Sequence, residues 1–434
     1  MQSQKTFRRI VGFLAARLRQ LDLRQIEDPR SPQGKRWDLH QILGACLFGM
    51  MAGCKSLTEV ERLTMKLSRP VRRVLGIPRR LPDTTARDVI CRLSPQSLIP
   101  ILHRAMAVAS RARSLTHEAL PFHMVAMDGK VTALPSWEGE FSQKHSPEYG
   151  VPYGLMRTVT SVLASTASRP CIDVSPIPAC TNEMGHFQTA FDALCRRYPR
   201  LFEMVSYDQG ANGEENALHI LSHNKHYLLR LNDERRHMQQ LAMELLGHAE
   251  VEAQTHDVVS NREEIIRRLR RFRVNTGRLK LPRKSELWSH TQTLLCVESE
   301  RHLDGEAVSM ERRYYATSLP SAELSAEQWL LCVRLHWQVE LSHQTLDTAF
   351  AEDERPWIKS SPAGMLAMTI LRRIAYTLLT LYRSATQRSP ERRQAPWAEL
   401  LEWFRDALIA SSEATIASLR KRKSTRFLEV AASA

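Results

Sequence analysis

The stretch His123-Met-Val-Ala-Met-Asp128-Gly-Lys130 decides how the rest of the chain is read. An apolar run from His123 to Met127 predicts a buried strand, and a carboxylate closes it. The same device returns at Leu201–Tyr207, an apolar run closed by Asp208. Between the two lie Met156–Ala164, rich in Val, Thr and Leu, the alternating Cys171–Ile177, and a helical pattern over Asn182–Arg197. A helix over Gly213–His223 and a strand over His226–Leu231 follow. Three strands and then alternating helices and strands predict a mixed α/β sheet covered by helices.

Helical periodicity dominates before this unit. Ile10, Phe13, Leu14, Leu18 and Leu21 recur at helical spacing, and an apolar helix is predicted over Leu39–Gly53. Ser56 and Glu59 have the spacing of a capping box that opens a third helix, and Thr84–Ala109 is helical again. Residues 1–115 are thus expected to form an all-helical accessory domain. Residues 116–232 read as the first part of an α/β domain. Residues 233–325 interrupt the alternation with a charged stretch, Arg262–Arg273, and two strand-like runs at Thr291–Val297 and Glu311–Thr317. They predict a basic, β-rich insertion. Residues 326–385 are helical and belong with the α/β unit, and 386–434 read as a helical, basic tail.

The chain has 434 residues, 43% hydrophobic, with a formal net charge of +14. That is enough apolar material for real cores, and the basic excess points to a polyanionic partner. None of the eight cysteines forms a Cys-x-x-Cys pair. They read as small buried hydrophobes in a reducing compartment rather than zinc ligands. The N-terminal apolar segment is broken by Arg17, and no signal peptide or membrane span is expected. A cytoplasmic location and no membrane partner follow. There is no Gly-rich phosphate loop, so no nucleotide cofactor is implied.

A lone Asp after a strand is more often a turn former than a ligand. The third acid is more informative. In Arg334-Leu-His-Trp-Gln-Val-Glu340 and the residues after it, His336, Glu340, His343 and Asp347 follow at steps of four, three and four, so they share one helix face. Such a row is either a solvated polar stripe or a set of groups facing an anionic substrate. Carboxylates on two strands and a helix can converge to hold divalent cations beside a phosphodiester.

The motifs in order resemble those of DDE transposases of bacterial insertion sequences, in the H-repeat-associated branch. Ile26-Glu-Asp-Pro-Arg30, His40-Gln-Ile-Leu-Gly44, Gly53-Cys-Lys-Ser-Leu-Thr-Glu-Val-Glu61 and Leu81-Pro-Asp-Thr-Thr85 are similar to that branch's helical accessory region. Met127-Asp-Gly-Lys130, Thr181-Asn-Glu183 and Val205-Ser-Tyr-Asp208 resemble the blocks around the first two acids. Arg334–Glu340, Leu346-Asp347, Phe350-Ala-Glu-Asp353 and Leu371-Arg-Arg-Ile-Ala-Tyr376 resemble the third block and the helix after it. The resemblance implies an RNase H-like mixed sheet with a β-rich insertion before the last acidic helix. It implies Asp128, Asp208 and Glu340 as catalytic residues and ligands of Mg²⁺ or Mn²⁺. In the family's Tyr-Arg-Glu-Lys signature, His336 takes the Arg position and Asp347 the Lys position.

Arg267, Arg268, Arg270, Arg271 and Arg273 crowd one segment and would repel unless acids or phosphates neutralise them. The residues expected to contact DNA are His336, Arg334, Arg267, Arg270, Arg271 and Lys130. The expected function is metal-dependent cleavage at the ends of an insertion sequence and strand transfer into target DNA. The partner is double-stranded DNA, and the active assembly is a homodimer or larger. Two rivals are a catalytically inactive, domesticated DNA-binding protein and a general RNase H-like nuclease.

Overall fold

The computed structural model describes residues 4–33, 35–207, 213–231, 237–274, 288–386, 389–417 and 419. Asp208, the basic stretch from Arg278 to Lys284, and the tail from Arg420 lie outside the described residues.

One ten-stranded sheet organises the protein. Its first half contains β1 (Met124–Leu134), β2 (Ser142–His145), β3 (Tyr153–Leu163), β4 (Cys171–Pro176), β5 (Met204–Tyr207) and β6 (His226–Leu231). β1 is antiparallel to β3 and β3 to β4, whereas β5 is parallel to β1 and β6 to β5. The order β4-β3-β1-β5-β6, three antiparallel strands and then two parallel ones, is the RNase H-like arrangement. β2 pairs with the other end of β3.

The insertion extends this same sheet. β7 (Val251–Ser260), β8 (Glu263–Arg273), β9 (Thr293–Leu303) and β10 (Glu306–Thr317) form an antiparallel series, and β10 docks antiparallel on β6. The arginine-rich stretch is therefore strand β8. Diagonal ion pairs with the neighbouring strand, Arg268–Glu300 at 2.6 Å and Arg270–Glu298 at 3.5 Å, offset its charge.

Parallel strands need crossover helices. α7 (Glu183–Arg197) leads from β4 to β5, and α8 (Glu214–Ser222) lies between β5 and β6. With α9 (His237–Gly247) they cover one sheet face, where Phe187, Phe191, Ala217 and Ile220 pack on Val125, Met127, Val205 and Tyr207. α10 (Ala326–Leu335) covers the opposite face, where Trp329, Leu330 and Val333 join Met124, Ala126 and Met204. Alternate residues of β1 and β5 thus serve two cores, as the pleat requires.

The helices before the sheet are α1 (Gln4–Gln20), α2 (Leu39–Met51), α3 (Leu57–Lys66), α4 (Arg69–Leu75), α5 (Asp83–Arg92) and α6 (Ile99–Arg111). Ser56 caps α3 by accepting the Glu59 amide, and Glu59 reaches back to the amide of Lys55. The pattern over 84–109 divides into α5 and α6 because Pro95 starts a short 3-10 turn between them. These helices share one core with the chain's last helical elements. After α11 (Trp337–Thr348) come α12 (Pro362–Thr386), the single turn α13 (Pro390–Arg393) and α14 (Trp397–Ala410). Leu43, Leu47, Leu371, Leu379, Leu401 and Phe404 meet in that core. α12 is long and apolar enough to cross a membrane, yet its whole apolar window is buried inside the protein.

Two arginines of α12 are almost wholly inside. Arg372 and Arg373 keep 1% and 0% of their surface, and Arg373 donates to Glu352, itself 1% exposed. Lys130 approaches the same carboxylate at 3.5 Å. Burial pushes the Glu352 carboxyl up, but Arg373, Arg372 and Lys130 outweigh it and hold it at about 2. A carboxyl lowered by folding stabilises the native state above its unfolded value of 4.5, and that contribution is lost as pH falls toward about 2. Glu352→Gln leaves buried cations unpaired and is expected to cost roughly 3–5 kcal/mol at neutral pH. It also flattens the acid limb of stability between those two values. Urea unfolding followed by circular dichroism at neutral and acid pH checks both.

Candidate active site

Asp128 does not end its strand. β1 continues six residues further to Leu134 because its antiparallel partner β3 is equally long, pairing Asp128 with Thr160 and Lys130 with Thr158. On the other side of β1, the described residues of β5 end at Tyr207. Tyr207 lies opposite Met127, and in the sequence Asp128 and Asp208 each follow that pair by one residue.

Alternation fixes the face. Met124 and Ala126 point into the core under α10, so Asp128 shares that side of the sheet. On β5, Ser206 does the same: its hydroxyl lies 3.0 Å from Nδ1 of His336. His336 joins α10 to α11 with helical backbone angles, so the residues on either side continue nearly as one helix. Seven residues on, Nδ1 of His343 lies 3.3 Å from Oδ2 of Asp128. The last member of the row, Asp347, pairs with Lys130. Three of the four residues in the helical row therefore meet β5 or β1, and the row is no solvated stripe. Glu340 lies between His336 and His343 on this face and is exposed. The structure thus brings Asp128 and the Glu340 helix together, and the residue before Tyr207 touches the same helix.

Glu340 also borders a groove lined by Arg169, Arg267, Arg334, Trp337, Gln338 and Gln344. Arg334 lies 3.1 Å from Asp257, which Arg267 also engages. Arg313 stacks over the Trp337 ring at 4.7 Å and Arg267 at 5.8 Å, so this ring is a platform for cations. A second hollow shares Arg169, Gln338, Leu341 and Gln344 and continues to Arg383 and Trp397. The basic surface therefore runs along the outer side of α11.

Three residues expected to contact DNA are placed otherwise. Lys130 is 8% exposed and is enclosed by Asp347, Glu352 and Asp353. The carboxylates that take up its charge come from the last turn of α11 and the turn after it, which sequence distance conceals. A lysine does stand beside the position of the family's signature Lys, but it comes from β1, with Asp347 as its partner. Arg270 pairs with Glu298 and donates to the Ala249 carbonyl, while Arg271 pairs with Glu252 at 2.5 Å and donates to the Ser321 carbonyl. Acids thus pair with both, as Asp257 does with Arg267 and Arg334. Arg267 and Arg334 do line the groove.

Glu183 is a site residue to which the sequence reading assigned no role. From the first turn of α7, on the opposite sheet face, its carboxylate packs on Gly129 and accepts from the Tyr207 hydroxyl at 3.1 Å. It thus touches the residue after the first acid and the residue before the second. A Cβ at 129 would overlap that carboxylate, so a larger residue there must displace it from Tyr207. That glycine, inside a strand pattern, was the available signal.

Two family models match the chain. Residues 21–105 match the one described as DDE_Tnp_1-associated, and residues 165–378 match the transposase DDE domain. No curated protein matches. Among solved structures, a cryo-EM structure of the piggyBac transposase synaptic complex with hairpin DNA is similar over 99% of this chain and 82% of that chain, at 10% identity and a TM-score of 0.44.

Gly129→Ala is expected to cost about 1–3 kcal/mol by overpacking. Glu183→Ala in the same chain should recover most of that cost, because the overlap is with its carboxylate. A double-mutant cycle by urea unfolding measures the coupling, and additive costs would refute the contact.

Proposed function

Since the chain belongs to the family of DDE transposases, we propose that Asp128, Asp208 and Glu340 form its catalytic centre and cut DNA at the ends of an insertion sequence, in the manner of the H-repeat-associated branch. The observation that carries the reading is the double contact of one helix with two strands: His343 on Asp128 and His336 on Ser206, with Glu340 between them.

The donor set suits Mg²⁺ or Mn²⁺. Carboxylate oxygens are the ligands these hard cations prefer, and the exposed Glu340 leaves room for the waters they retain. The buried Thr160 hydroxyl, opposite Asp128 in the ladder, has no partner among the described residues and could accept or donate to a cation's water. When bound, such cations activate water and stabilise the leaving oxygen of a phosphodiester. The chain's own contribution is placement. β3 and β5 hold the first strand rigid, His343 orients the Asp128 carboxylate, and Lys130 ties the far end of α11 to β1. Arg334 and Arg267 meet phosphates along the groove, with Arg169 and Arg383 extending the track. Such contacts set register on the duplex and read no bases. The 3′-hydroxyl freed by cleavage then attacks target DNA, in an assembly of two or more subunits that pairs both element ends.

Asp128→Asn, Asp208→Asn and Glu340→Gln should each lower Mn²⁺-dependent cleavage of an element-end duplex by more than about 100-fold, beyond what outer ligand partners cost. Their unfolding midpoints should stay close to that of the parent. Duplex binding with no cleavage under either metal would favour the DNA-binding regulator, and equal cleavage of unrelated duplexes the general nuclease.

Arg169→Ala and Arg334→Ala should each weaken duplex binding alike for all sequences and reduce the slope of log K against log salt by about one. Fluorescence anisotropy across a salt series measures this, and an unchanged slope would remove the groove as the DNA path.

A further inference from the structure

On the sheet face opposite α11, three side chains point at one another. Asp192 projects from α7, and His219 and His223 lie one turn apart on α8 and at its C-cap. Nε2 of His219 is 2.7 Å from Oδ1 of Asp192, and Nε2 of His223 is 2.9 Å from the same oxygen. One donor atom from each residue falls within 4.8 Å of the others. All three side chains are partly open to solvent, with 23%, 29% and 37% exposure for His219, His223 and Asp192. The Phe191 ring lies against both imidazoles and limits their rotation.

We propose that Asp192, His219 and His223 bind a transition-metal dication of the Zn²⁺ class and staple α8 to α7. Two histidines at i and i+4 present nitrogens along one helix side, the arrangement that suits a tetrahedral ion. A carboxylate oxygen from the neighbouring helix supplies the third donor, and water the fourth. Nitrogen-rich donors favour Zn²⁺, Co²⁺ or Ni²⁺ over Mg²⁺, so this site and the carboxylate site take different ions. The separations of 2.7 and 2.9 Å are hydrogen-bond lengths. An ion with bonds of about 2.0–2.2 Å needs the donors to part slightly. Small side-chain rotations achieve that without moving either helix. In the metal-free protein both Nε2 atoms carry hydrogen and donate to Asp192. On binding, each imidazole shifts that proton to Nδ1 and offers the Nε2 lone pair. The staple bears on activity because α8 is the first described helix after β5, beyond the second acid position.

The test uses the full chain, stripped with chelator and kept in excess Mg²⁺. Titration with Co²⁺ should give one equivalent per chain, with the visible absorption of a low-coordinate ion, and Zn²⁺ should displace it. Zn²⁺ should also raise the melting temperature by several degrees. His219→Gln with His223→Gln keeps hydrogen-bond donors for Asp192 but removes the imidazoles. That variant should melt like the metal-free parent and lose both the absorption and the Zn²⁺ shift. Asp128→Asn should keep both. Absence of stoichiometric binding in the parent, or binding retained in the double glutamine variant, would overturn the proposal and leave a plain hydrogen-bonded trio.

Discussion

The rest of the structure depends on β1 lying between two unlike neighbours. On one side β3 pairs with it antiparallel along nearly its whole length; on the other β5 runs parallel, its described residues Met204–Tyr207 lying opposite Met124–Met127. The long partner makes β1 rigid through Asp128. Asp128 keeps its backbone in that ladder while its side chain stays partly open to solvent. A carboxylate can then be held in place without being sealed in, which is what a ligand for a hydrated cation needs.

Buried charge holds the helix against this point. Lys130 follows Asp128 by two residues and so leaves the same sheet face. It meets Asp347, Glu352 and Asp353, and Glu352 in turn engages the buried arginines of α12. The first strand, the third-acid helix and the central helix of the helical core are thereby joined through one chain of ion pairs. Such a network contributes little net stability over an apolar replacement, but breaking one member is costly. Its value here is register: it admits one placement of α11 on β1. The helical region before the sheet shares its core with α12, so its packing bears on the same helix.

Much of this was legible in the sequence, for identifiable reasons. The strands β3, β4, β5 and β6 stand close to where the sequence pattern placed them, β1 starts where expected but runs on through Asp128 to Leu134, and the helical row from His336 to Asp347 does face the sheet. β7 and β8 were harder. In β8, arginine at alternate and adjacent positions hides the period-two signal, because charged side chains serve as cross-strand partners rather than as the outward half of a pattern; β7 is largely polar and exposed, so no apolar run marks it. The acidic partners of Lys130, Arg270 and Arg271 were not legible for one reason. A cation's partner is decided by what folds beside it, and their acids lie from 19 residues away, as Glu252 is from Arg271, to more than two hundred, as Glu352 is from Lys130. Glu183 escaped because its role shows only where a carboxylate rests on a glycine of another element.

By itself the order of motifs determined the class of sheet and the helical flanks, and singled out three acids as candidates, because periodicity and residue type are local properties of the chain. The tertiary structure alone decided which cations face carboxylates and which line a groove. It also decided that Asp128 sits in mid-strand, and that two histidines of one helix touch two strands. Those outcomes rest on long-range pairing, where the energy of a charge depends on distances that a linear sequence does not contain.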